Sequence, residues 1–185
     1  MNNHSQPILL VFAGPNGSGK STVARSFPHF GTFINADDLK TTYNISDLEA
    51  AQFADDLRNK LLESRVDFSF ETVLSTERNL FLMKKAKDYG FEVQCIYVLT
   101  CNPDINVARV RARVLRGGHD VPEGKIRKRY QRALVLLPQI VSVCDKILIY
   151  DNSVSPALIF DKNSYPSIFP TGIWPKEQIE RLLGL

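Results

Sequence analysis

Apolar positions along this chain switch repeatedly between short continuous runs and a spacing of three and four. Ile8-Leu9-Leu10-Val11-Phe12 is almost wholly apolar, the pattern of a central strand buried on both faces. Phe33-Ile34-Asn35, Phe68-Ser69-Phe70, Phe91 to Leu99 and Lys146 to Tyr150 are read as further strands, with Ala157 to Asp161 as a candidate sixth. Between them the spacing turns helical. Lys20 to Ser26 is a short predicted helix, and Ser46-Asp47-Leu48-Glu49 carries a helix-start signature. Ala50, Phe53, Ala54, Leu57 and Leu61 then share one stripe. Glu77 to Tyr89 is a helix closed by Gly90, and Asp104 to Arg116 is another, interrupted by Gly117-Gly118. Pro122-Glu123 opens the next, with Ile126, Tyr130, Leu134 and Leu137 as its buried stripe. Pro175 to Leu183 predicts a terminal helix that Gly184 closes. Regular alternation of strand and helix predicts an α/β fold with helices on both faces of a parallel sheet.

The first strand leads directly into Gly14-Pro15-Asn16-Gly17-Ser18-Gly19-Lys20-Ser21-Thr22. This is the GxxxxGK[ST] phosphate-binding loop in its strand–loop–helix setting. Its glycines let successive backbone N–H groups point at phosphate oxygens, and the helix start adds partial positive charge. Lys20 is expected to reach the outer phosphates of ATP, and Ser21 to ligate Mg²⁺. The fold class that follows is a P-loop NTPase fold, with a mostly parallel sheet of five strands or slightly more.

In such a sheet, ligands bind where the strands end. Asp37 and Asp38, Glu71 and Thr72, and Asp151 and Asn152 are therefore expected to converge on the loop. Phosphoryl transfer needs a group that accepts a proton from the attacking hydroxyl. Asp37 or Asp38 is placed for that, Asp37 being nearer the strand end and the other carboxylate being left to cap or turn the chain. Glu71 is expected to organise Mg²⁺ water or bind the acceptor, beside Thr72. Asn152 is expected near the base of the nucleotide.

Charge adds a second feature. The net charge is +3, but between Arg109 and Arg132 nine Lys or Arg stand against two acids, a local balance of +7 that leaves −4 for the remainder. Arg109, Arg113 and Arg116 fall on one helical face, and Lys125, Arg129 and Arg132 repeat the spacing after the two glycines. This predicts a basic helical lid over about 104–132, hinged at Gly117-Gly118, with Arg116 and Arg129 ranked first as phosphate contacts. His119, in the hinge, is expected to make hydrogen bonds there.

The chain is long enough for a single domain, 1–185, and too short for two comfortable ones. No apolar run is long enough to span a bilayer, and Met1 to Pro7 lack the basic start of a signal peptide. Cys95, Cys101 and Cys144 make no CxxC pair and are read as buried thiols, which points to a cytoplasmic protein. A nucleic-acid partner is not expected, because no second basic surface carries interleaved aromatics. An ATP-driven switch or assembly ATPase and a polynucleotide-end kinase are the alternatives to a small-molecule kinase.

The chain resembles the zeta-toxin-like family of small phosphate-loop kinases. The resemblance runs from the loop through Ile34-Asn35-Ala36-Asp37, Phe70-Glu71-Thr72-Val73 and Arg109-Val110. It continues in Gly117-Gly118-His119-Asp120-Val121-Pro122, Ile126 with Arg129-Tyr130, and Tyr150-Asp151-Asn152-Ser153. It implies ATP and Mg²⁺ as cofactors and a hydroxyl acceptor such as the amino sugar of UDP-N-acetylglucosamine. By resemblance Asp37 is the base, Glu71 and Thr72 help hold the acceptor, and two arginines, Arg116 and Arg129, clamp the transferred group. The first strand begins almost at the N-terminus, without the helical lead-in where larger toxins of the family receive their antitoxin. That puts an antitoxin partner in doubt.

Overall fold

The computed structural model describes residues 6–185, so the polar opening residues 1–5 lie outside the described part. Seven strands form one sheet: β1 (Ile8–Ala13), β2 (Thr32–Ile34), β3 (Phe68–Thr72), β4 (Glu92–Leu99), β5 (Lys146–Asp151), β6 (Ala157–Lys162) and β7 (Ser167–Ile168). Their order is β2-β3-β1-β4-β5-β6-β7. The first five pair in parallel, with the wholly buried β1 between β3 and β4. β6 and β7 are antiparallel additions at one edge. The chain between Asp151 and Ala157 is too short for a crossover helix, so β6 can only fold back beside β5. β7 has two residues, too few to leave a periodic signal.

The helices are α1 (Lys20–Ala24), α2 (Ala36–Tyr43), α3 (Asp47–Glu63), α4 (Glu77–Asp88), α5 (Pro103–Val114), α6 (Glu123–Val143) and α7 (Lys176–Leu183). One face of the sheet packs under α3, α4, α6 and α7, where Leu9, Val11, Leu62, Met83, Tyr97, Leu137, Ile140 and Ile179 share the main core. The other face, through Leu10, Phe12, Ile96 and Val98, lies under α1 and the aromatics Phe27, Phe30 and Phe33. Among the described residues no helix is long and apolar enough to cross a membrane.

Three expectations change. Asp37 and Asp38 do not close a strand: they sit in the first turn of α2, a short helix with no fully buried residue, which touches the core only through the partly buried Ala36 and Leu39. Along α3 the buried line is Ala50, Ala54, Arg58 and Leu62, while Leu57 and Leu61 are only partly covered and Phe53 stays 40% exposed against Tyr43. Arg58 takes an inward position because its guanidinium lies 4.9 Å over the Phe70 ring and pairs with Asp55. Cys95 and Cys144 are buried, but Cys101 is exposed, lying just past the end of β4.

Candidate active site

The phosphate loop is shaped by how closely other backbone approaches it. Gly14 has φ +139°, and a Cβ there would sit 1.9 Å from the Val98 carbonyl oxygen of β4. Gly17 at the apex presses on α5, where a Cβ would meet the Asn106 carbonyl oxygen at 2.5 Å. Only glycine fits either position. Beneath the loop, Asn152 Nδ2 donates to the Ser18 carbonyl at 2.8 Å. Arg109 bridges the same carbonyl (3.5 Å) and that of Ser153 (3.3 Å), tying the loop to the end of β5. Asn152 is therefore a buried support of the loop and does not line the cavity beside it.

Lys20 Nζ donates to the Pro15 carbonyl at 3.0 Å and lies 4.0 Å from Glu71 Oε1. Burial holds its ammonium below the ordinary lysine value; Arg113 and Arg129 push the same way, and Glu71 and Asp37 oppose them. Ser21 Oγ donates to the Glu71 carboxylate at 3.0 and 3.3 Å. A hydroxyl and a carboxylate side by side at the loop are hard oxygen donors of the kind Mg²⁺ takes in small number, keeping waters at its other positions. The residues present fit that ion.

A cavity of about 680 Å³ opens along the carboxyl edge of β1, β2 and β3. It brings together Asn16, Gly17, Gly19, Lys20, Ser21 and Thr22 of the loop with Asp37, Glu71 and Thr72. Gly14, Pro15 and Ser18 lie beneath its lining. Asp37 is exposed in the cavity lining, fixed by Asn35, whose Oδ1 accepts from the Asp37 N–H at 3.0 Å and so caps α2. Asp38 does not line the cavity. Thr72 Oγ1 accepts from the Leu74 N–H at 3.1 Å and from Asn79 Nδ2 at 2.8 Å, which sets the turn after β3.

Two groups stand out among the basic residues of α5 and α6. Arg111 and Arg127 pair with Glu123, and Arg127 also with Asp104, outside the cavity. Arg109, Arg113, Lys125 and Arg129 line the cavity, and among the described residues none of the four has a carboxylate partner. Arg113 Nη2 donates to the His119 carbonyl at 2.7 Å, and Arg129 Nη1 to Asn16 Oδ1 at 3.2 Å. Arg116 is exposed beyond the last turn of α5 and does not line the cavity; one turn earlier, Arg113 does. Sequence reasoning missed Asn106, wholly buried, whose Nδ2 donates to the Asn16 carbonyl at 2.6 Å. A lone asparagine in a basic helix carries no signal of such a contact.

Sheet order, loop and acid-bearing strand ends define a phosphate-loop kinase fold. The family model described as Zeta toxin matches residues 24–164. The chain belongs to the zeta toxin family. A protein of Haemophilus influenzae described only as uncharacterized is 34% identical over 132 residues, covering 68% of this chain and 94% of that one. A chain of the AvrRxo1-ORF1:AvrRxo1-ORF2 complex superimposes with a TM-score of 0.75 at 14% identity; the match covers 96% of this chain and 64% of that one. The same complex has been solved with ATP, and that structure aligns with a TM-score of 0.74. The PezAT chromosomal toxin-antitoxin system of Streptococcus pneumoniae aligns with a TM-score of 0.61 at 17% identity, over 97% of this chain and 85% of that one. Family and fold support an ATP- and Mg²⁺-dependent phosphotransferase activity. The doubt about an antitoxin is corrected: one similar structure is a complex of AvrRxo1-ORF1 with AvrRxo1-ORF2, and another is described as a toxin-antitoxin system.

Proposed function

We propose that this protein transfers the γ-phosphoryl group of ATP to a hydroxyl of a small molecule, with a nucleotide sugar as the leading acceptor. The observation that carries the reading is a single cavity lined both by the phosphate loop and by Asp37. Backbone N–H groups and Lys20 hold the β- and γ-phosphates, and Ser21, with Glu71 beside it, holds Mg²⁺. The metal supplies charge neutralisation at the phosphates. Asp37 accepts the proton of the acceptor hydroxyl, Glu71 and Thr72 border the acceptor, and Arg113 and Arg129 neutralise charge growing on the transferred group. Arg109, engaged with two backbone carbonyls, serves the loop.

The test is mass-resolved transfer from ATP and Mg²⁺ to a panel of nucleotide sugars, sugars and nucleosides. A phosphorylated product is expected, with kcat lower by about a hundredfold or more in Asp37→Ala. ADP formation without transfer, equally fast in the variant, would leave an ATP-driven switch instead. We further infer a protein antitoxin as partner, supported by the similarity to a two-protein complex and to a toxin-antitoxin system. Expression is then expected to arrest growth unless Asp37 is replaced; equal growth of both strains would remove that inference.

A further inference from the structure

The basic helices meet the crown of the phosphate loop at one residue, Asn16. The loop motif leaves this position open, since its main-chain donors and Lys20 do the phosphate binding. Here Asn16 is held twice. Its carbonyl accepts from Asn106 on α5 at 2.6 Å, and its side-chain oxygen accepts from the Arg129 guanidinium on α6 at 3.2 Å. Asn106 is itself fixed: the Thr100 hydroxyl donates to its Oδ1, and the Tyr130 hydroxyl donates to the Thr100 carbonyl at 2.6 Å. Tyr130 follows Arg129 in the chain. The contacts therefore close a ring through Asn16, Asn106, Thr100, Tyr130 and Arg129, joining the loop, the end of β4, α5 and α6.

Arg129 is a long side chain with many rotamers, and among the described residues it has no carboxylate to hold it. Asn16 is its hydrogen-bond partner, and both line the cavity. A neutral amide oxygen orients a guanidinium without cancelling its charge, leaving the other N–H donors for an anion. We propose that Asn16 is a positioning residue that holds Arg129 toward the third phosphate of ATP, so that the site tells a nucleoside triphosphate from a diphosphate. This rests on the kinase reading above.

The experiment is calorimetric titration of the full chain with ATP and with ADP, each with Mg²⁺, for the natural protein, Asn16→Ala, Arg129→Ala and the double variant. Thermal melting would check each fold, and Asn16→Ser, too short to reach Arg129, would replace an Asn16→Ala that does not fold. The natural protein is expected to prefer ATP, and Arg129→Ala to shrink that preference about tenfold. Asn16→Ala is expected to reproduce most of the loss, and the double variant to be no worse than Arg129→Ala alone. A preference untouched by Asn16→Ala, or losses that multiply in the double variant, would overturn the proposal. So would a natural protein indifferent between the nucleotides. Failure of the natural protein to bind either nucleotide would instead sink the kinase reading itself.

Discussion

Lys20 is where burial and charge act on one ionisation in opposite directions. Burial is the largest influence and lowers its proton affinity; Glu71 and Asp37 raise it. Between the lowered folded value and the ordinary unfolded one, the unfolded chain binds more protons, so stability of the unliganded protein rises with pH in that alkaline window. A triphosphate beside Lys20 adds negative charge and moves its proton affinity back up. ATP binding is therefore expected to take up protons as pH climbs toward the lowered value. Calorimetry in two buffers of different ionisation enthalpy would read this; heats that stay independent of buffer on the alkaline side, up to the ordinary lysine value, would contradict it. Replacing Lys20 by Met should abolish the uptake along with tight binding.

At the scale of elements, the clearest signals in the sequence were those tied to backbone necessity. The loop glycines, the buried run of β1 and the Ser46 capping box, where Ser46 and Glu49 exchange both hydrogen bonds, all stand where their chemistry puts them. What could not be read were features set by tertiary contact. α2 touches the core only through the partly buried Ala36 and Leu39, and Arg58 holds a core position through an aromatic ring on another element. Helical spacing put Arg113 and Arg116 on one face, but α5 ends at Val114, so Arg116 falls outside the cavity. Asn106 became visible only once α5 met the loop.

The two walls of the cavity also differ in anchorage. α6 buries seven residues between Ile126 and Val141, whereas α2 buries none. Closure over substrates is thus expected to come from α2 rather than from a swinging α5–α6 pair. Hydrogen exchange would show it: α2 amides should open locally and slow when ligands bind, while central α6 amides should exchange only with global unfolding. Fast local exchange in the middle of α6 would restore the hinged lid.

Across the whole molecule, positive charge is sorted by pairing. Arg111 and Arg127 on the outer side of α5 and α6 meet their acids, and Arg109, Arg113 and Arg129 face the cavity without any among the described residues, so the donor side carries a field ready for phosphate. The same helix that presents Arg129 continues to Ile140 in the main core, about 16 Å further along its axis. It is stapled to β4 twice, by the Tyr97 hydroxyl on the Ala133 carbonyl at 3.1 Å and by Tyr130 on Thr100. ATP recognition and folding thus draw on one set of side chains, and a lineage cannot alter one without disturbing the other. α2 carries no such debt. At its exposed positions other than Asp37, mutations can accumulate and change what is phosphorylated while the chain still folds and still holds ATP, so descendants of this protein are free to acquire new acceptors but not new donors.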